Sequence, residues 1–289
     1  MISKWENFGH YLAGLWEGDG HSGKNPGPYI AITFHNKEYP LCVICQQLIG
    51  GFIRHKRQEN AIVLTIQKRQ ELLKFVSLVG NKLRSPKSIE IWAIAKWLKT
   101  LDLAQPSNFC TQFELDSTPL FNNAWLAGFI DADGSFKVRY TKKKVNSVTK
   151  VLQTKERIAL AFVIEQQMLH KKSGQSFKPL MDKIAKYLTV PLTFTKHKGK
   201  QYYCVNLSSF YKLKILIDYL EKYSLVSSKF LNYKDWCSVY KLMLVKKHLT
   251  STGKSEIESI KKKMNSKRIH YDWSHIYKSF VFVIIEKHL

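Results

Sequence analysis

Acidic residues are scarce in this chain. Asp and Glu number 22 against 46 Lys and Arg over 289 residues, a formal charge of +24. A folded chain so charged calls for a polyanionic partner, with nucleic acid first and an acidic membrane surface second. Arginine is also sparse, 7 residues against 39 lysines. Cysteine is rare and odd in number, five in all, which argues against a disulfide framework and for a reducing compartment. Cys42 and Cys45 form a lone C-x-x-C inside an apolar run. A zinc site needs two further ligands at matching spacing, and none is nearby, so the pair reads as core. No apolar stretch approaches the ~18 residues of a spanning helix. The start, Met1 to Phe8, is polar, carries Trp5 and Glu6, and shows no cleavable signal. With 45% hydrophobic and 13% aromatic residues, wholesale disorder is excluded.

What is present is a repeat. Residues 11–20 read YLAGLWEGDG and residues 125–134 read WLAGFIDADG. From Leu12 and Leu126 they share Leu, Ala, Gly, an acidic position, Asp and Gly, at an offset of 114 residues. That is about the size of one small domain. The helix endings that follow also match, 81–87 facing 223–229. The spacing from Asp19 to Lys87 is 68 residues and from Asp133 to Lys229 is 96. Two insertions, 141–155 and 168–176, accommodate the extra 28. Each half therefore reads as an α–β–β–α–β–β–α unit of α+β class. The expected division is 1–101, a linker 102–122 and 123–289, the last with a helical tail whose apolar end (280–285) forms a strand or helix docked on the second half. The stretch His21 to Lys24 replaces an apolar continuation, so the first strand is expected to start late.

The repeated motif has physical content. Read as helices, Gly14 and Gly18 lie on one face, and Gly128 and Ala132 repeat the pattern. A helical Gly costs roughly 0.8–1 kcal/mol relative to Ala, so its duplication points to close approach of two helix backbones. Asp19 and Asp133 then meet at the bottom of the pair, facing the negative helix ends. A divalent cation resolves that repulsion, and hard oxygen donors favour Mg²⁺, with Mn²⁺ or Ca²⁺ as substitutes in binding. Such a metal serves phosphodiester hydrolysis.

The strand segments alternate basic or polar with apolar residues. Lys137, Arg139 and Thr141 oppose Phe136, Val138 and Tyr140; Thr33 and His35 oppose Ile32 and Phe34; Arg54 and Lys56 oppose Ile53 and His55. Such a sheet packs its underside on helices and presents its upper side to a DNA groove. Loop 142–150, with Lys143 in it, is expected to meet phosphates.

These residues resemble the LAGLIDADG homing endonucleases in their single-chain, two-motif, intron-encoded organellar form. LAGLWEGDG (12–20) and LAGFIDADG (126–134) carry the resemblance, with Pro86-Lys87, Ser227-Ser228-Lys229 and Met264 to Arg268. It covers nearly the whole chain. The resemblance implies two curved antiparallel sheets forming a saddle on DNA, with the motif helices at the interface. It implies metal binding by Asp19 and Asp133, with the carbonyls of Gly18 and Ala132. It implies a basic residue per half near the scissile phosphate, matched by Lys87 and Lys229, and a water-orienting residue, matched by Gln166, with His35 the candidate in the first half. Trp16 and Glu17 depart from the usual motif and leave Asp19 intact. The implied activity is site-specific double-strand cleavage by a monomer that promotes intron mobility in mitochondria, on a target of about two duplex turns, roughly 20 base pairs. The alternatives are an RNA-binding maturase acting on its own intron, with or without cleavage, and a DNA-binding repressor built from an inactive nuclease. No membrane partner is expected.

Overall fold

The computed structural model describes residues 3–101, 106, 109, 113–277 and 279. The first half runs α1 (Lys4–Asp19), β1 (Gly20–Gly23), β2 (Tyr29–His35), α2 (Tyr39–Ile49), β3 (Phe52–Lys56), β4 (Ala61–Ile66), α3 (Arg69–Val79) and α4 (Ser88–Lys99). The second runs α5 (Trp125–Asp133), β5 (Gly134–Thr141), β6 (Lys144–Val145), β7 (Leu152–Thr154), β8 (Arg157–Gln167), α6 (Lys178–Tyr187), β9 (Leu192–His197), β10 (Lys200–Leu207), α7 (Leu213–Lys222) and α8 (Lys229–Leu244), then α9 (Ser251–Lys263) and α10 (Ser274–Tyr277). The sheet orders are β1-β2-β4-β3 and β5-β8-β10-β9, each antiparallel, the same topology twice. Among the described residues the repeated unit, α1–α4 and α5–α8, carries one helix more than expected, and the second half adds the β6–β7 ribbon, α9 and α10.

Local chemistry sets the boundaries. Ser3 caps α1 by accepting from Glu6 N at 3.1 Å, which satisfies one of the orphan donors of the first turn. The chain leaves α1 and α5 in extended conformation at Gly20 and Gly134, so each motif helix runs directly into a strand. A Cβ at Gly20 would lie 2.1 Å from the Trp16 ring, which is why the helix-to-strand passage needs glycine there. β1 thus starts at once rather than late; it is short instead, four residues against eight in β5. Alternation then decides which face is buried. Ile30, Ile32 and Phe34 are in the core with Ile62, Leu64 and Ile66, as are Phe136, Val138, Leu160, Phe162 and Ile164.

Cys42 and Cys45 are free and buried in α2, and burial pushes the Cys42 thiol up to about 12; both are core. Insertion 141–155 contains the small β6–β7 ribbon. Insertion 168–176 reaches across to the first half, where His170 Nε2 lies 3.0 Å and Lys172 Nζ 2.6 Å from the buried Glu90 carboxylate. The described part of the linker is fixed to the first half: Arg84 pairs with Asp116 at 2.6 Å and donates to Thr118 O at 2.6 Å. Among the described residues no helix is long and apolar enough to cross a membrane. The apolar end, 280–285, lies outside the described residues.

Candidate active site

The two halves meet through α1 and α5, and the meeting is backbone on backbone. A Cβ built on Gly14 would lie 2.0 Å from Trp125 O, and one on Gly128 would lie 1.9 Å from Tyr11 O. No side chain fits there, so the glycine pair sets the interhelical spacing. One turn further on, a Cβ on Gly18 would lie 2.1 Å from Ala132 Cβ and 3.3 Å from Asp133 Oδ2. Both helices end at this point, and Asp19 and Asp133 come together beneath it. Burial, followed by the charge of Asp133, pushes the Asp19 carboxyl up to about 6, against the downward pull of Lys229 and Lys87. Burial likewise raises the Asp133 carboxyl.

The acid two residues earlier does different work. Glu17 accepts from Arg84 N (2.9 and 3.0 Å), Ser85 N (2.6 Å) and Trp125 Nε1 (2.8 Å). Asp131 accepts from Tyr11 Oη (2.7 Å), Val226 N (2.8 Å), Ser227 N (3.1 Å) and Ser227 Oγ (2.5 Å). These buried acids hold the turns that open α4 and α8. Those turns carry the lysines. Lys87 Nζ donates to the carbonyls of Trp16 (3.0 Å), Glu17 (3.1 Å) and Gly18 (3.3 Å). Lys229 Nζ donates to those of Ile130 (3.3 Å) and Ala132 (2.5 Å). Cations at helix C-termini meet the negative end of the macrodipole. Burial lowers both ammonium groups, and Asp19 and Asp133 oppose that shift at each. Gln166 Nε2 donates to Asp133 Oδ2 at 3.3 Å.

Asp19, Asp133, Lys87, Lys229, Gln166 and the Gly18 and Ala132 carbonyls therefore share one place, although the sequence separates them by up to 211 residues. His35 does not join them. Its Nδ1 accepts from Lys37 N at 3.2 Å and its Nε2 lies 3.3 Å from Asn60 Nδ2, at the last residue of β2 and on the open face of the sheet. Glu17 and Asp131 are the site residues that sequence reading missed. Their signal lay in the sequence, an acid duplicated two residues before Asp19 and before Asp133; their partners did not, lying 67 or more residues away.

The fit to a divalent cation can be judged from the donors. Among the described residues no three His, Cys, Asp or Glu side chains gather as a cage. The donors are two carboxylates and two carbonyls, all oxygen. Mg²⁺ takes one or two carboxylates and leaves the rest of its octahedron to water and substrate phosphate. Two partly buried carboxylates that resist ionising together are short of positive charge, and the residues fit such a group.

Above the pair lie the open faces of the two sheets. Register puts Thr33, Val63 and Arg54 in one row, His35, Ala61 and Lys56 in the next, and His21, Ala31, Thr65 and Phe52 on the other side. In the second half Lys137, Arg139 and Thr141 of β5 face Ala161, Ala159 and Arg157 of β8. Lys56 is tied to Glu59 at 3.1 Å. Lys143 lies in the exposed turn between β5 and β6. The ribbon beyond is braced from behind: Glu156 accepts from Tyr140 Oη at 2.8 Å and pairs with Lys254, and Glu258 pairs with Lys142 at 3.0 Å.

Residues 126–240 match the family described as LAGLIDADG endonuclease. The chain is similar to an uncharacterized cox1 intron-2 37.2 kDa protein of Schizosaccharomyces pombe, 30% identical over 260 residues, covering 87% of this chain and 71% of that one. It is also similar to the intron-encoded DNA endonuclease aI3 of Saccharomyces cerevisiae, 25% identical over 96% of this chain and 74% of that protein. In fold it is similar to the crystal structure of the I-LtrWI LAGLIDADG homing endonuclease bound to target DNA. That TM-score is 0.68, with 21% identity, 92% of this chain and 100% of the other covered.

Proposed function

The chain belongs to the LAGLIDADG endonuclease family, and from that premise we propose that it cuts both strands of a specific DNA target at the Asp19–Asp133 pair. The observation that carries this reading is the convergence of two acids, two lysines and a glutamine at the foot of a two-helix interface, under two basic sheet faces. A divalent cation bound by Asp19 and Asp133, Mg²⁺ by the chemistry of the donors, supplies an acidified water and offsets charge on the phosphate oxygens. The chain's own residues do the rest. Glu17 and Asp131 fix the turns of Lys87 and Lys229. The lysines place positive charge where the pentavalent phosphate gathers negative charge. Gln166 holds a water by its amide, through the geometry it already has with Asp133. Thr33, Arg54, Lys137, Arg139 and Thr141 read base edges, and Lys56 and Lys143 meet phosphates.

A target of roughly 20 base pairs matches two sheets side by side, about one duplex turn each. Both motif helices are in one chain, so a monomer carries a complete site. Relatives encoded in fungal introns support a mitochondrial setting and a role in intron mobility. The test is cleavage of a randomised duplex library with Mg²⁺ and with EDTA. The proposal requires recovery of a single cleaved sequence family with the metal alone; cleavage that ignores sequence, or persists in EDTA, contradicts it.

A further inference from the structure

The two halves share one sheet topology, and one of the points where they differ is at the chemistry. β1 and β5 fix the correspondence. Gly20 pairs with Ile32, and Gly134 pairs with Ile164. Two residues further along the second strand of each half stand Phe34 and Gln166, paired with Ile62 and Tyr203. Both side chains turn to the underside of the sheet, toward the end of their own motif helix. Gln166 is partly exposed there. Its Oε1 accepts from Gln167 N at 2.8 Å, which fixes the amide plane and turns Nε2 toward Asp133. Phe34 is 4% exposed, packed in the core, and has no polar atom to offer Asp19.

Among the described residues of the first half no other side chain takes the glutamine's place. Among the described residues Asp19 accepts no hydrogen bond from a side chain. His21 is the nearest polar residue in sequence, but it stands on the opposite, open face of β1, across from Ala31, edge-on to Tyr29 at 6.1 Å. The residue equivalent to it is Ser135, so the second half has a polar group at both positions and the first half at one.

We infer that the halves hold the attacking water unequally, so that one DNA strand is cut well before the other and a nicked duplex accumulates. This rests on the endonuclease reading. At each scissile phosphate one water adds across one P–O ester bond. Its oxygen joins phosphorus, the ester oxygen leaves, and the water's proton ends on that leaving oxygen. No other reactant is needed, and the halves differ in how well the water is aimed. Gln166 acts as a positioning residue in the second half and Phe34 leaves that position empty in the first. Misplacement of about an ångström costs on the order of 10²-fold in rate, so a strand preference of about tenfold or more is expected.

The experiment is single-turnover cleavage of the library-derived duplex in Mg²⁺, with a different fluorophore on each strand. The expected result is a nicked intermediate and one strand ahead by about tenfold. Gln166→Leu should slow that strand alone, to the rate of the other, with DNA affinity unchanged. Phe34→Gln should speed the lagging strand; should that variant fail to fold, the Gln166→Leu arm decides alone. Equal rates in the unaltered protein, or equal slowing of both strands by Gln166→Leu, would overturn the inference while leaving the endonuclease reading intact. Cutting of neither strand by the unaltered protein overturns both.

Discussion

Asp19 is a strained acid. The folded chain raises its carboxyl to about 6 from 3.8, through burial and then Asp133, so the fold holds the proton more tightly than the unfolded chain does. The stabilising contribution of the protonated form is full below pH ~4 and is lost as pH rises through about 6. At pH 7.5 without divalent cation, Asp19→Asn should therefore stabilise the protein by about 1–3 kcal/mol, after discount for partial exposure. It should also flatten the dependence of Tm on pH between 4 and 6. Added Mg²⁺ should raise the Tm of the unaltered protein, by mass action on the folded state, and leave the double Asn variant unmoved. Calorimetric scans across pH check this, and a lower Tm for Asp19→Asn at neutral pH would contradict it. At this scale the sequence was legible where it repeated itself: Asp19, Asp133, Lys87 and Lys229 fall at equivalent places. It was not legible where a side chain's partners are remote in the chain. Glu17 stands in the last turn of α1, and nothing local shows that it is buried and holds Arg84 N, Ser85 N and the Trp125 indole.

Among the elements, α1 and α5 carry the argument. Gly14 and Gly128 each oppose a carbonyl at about 2 Å from where a Cβ would stand, and a backbone cannot yield as a side-chain tip can. Gly14→Val or Gly128→Val should cost more than about 3 kcal/mol and separate the two carboxylates. Gly27→Ala, with nothing within 4 Å, should stay within about 0.5 kcal/mol. Urea denaturation of the three variants measures this, and a tolerated Gly128→Val would argue against backbone contact. The helix faces and strand alternation were readable because period 3.6 and period 2 write directly into the sequence. The contact of insertion 168–176 with Glu90 was not, since nothing local in that loop names a partner 80 residues back. Nor was the register that makes Phe34, rather than His35, the counterpart of Gln166: an error of one residue in a strand changes the face of every side chain.

The whole molecule carries +24 and two sheets of matching topology whose open faces hold Arg54, Lys137, Arg139 and Arg157. A saddle neutralising about 6–10 phosphates should lose on the order of 10³–10⁵ in affinity between about 50 and 200 mM salt. Fluorescence anisotropy with the target duplex measures the slope, and an affinity indifferent to salt would contradict the basic saddle. The duplication made the pseudo-twofold arrangement legible at this scale, down to the place where the halves touch. The bracing of the ribbon by α9 was hidden, because Glu156 and Lys254 are 98 residues apart and neither belongs to the repeat.

The most direct measurement is cleavage of the target in Mg²⁺ by the unaltered protein and by Asp19→Asn, Asp133→Asn and the double variant, with binding to the same duplex measured alongside. Binding should stay within a few-fold of the original and cleavage should fall by at least about 10³-fold, as expected of carboxylates that would hold the cation rather than the DNA. Cleavage by the double variant at a rate near that of the unaltered protein would contradict it.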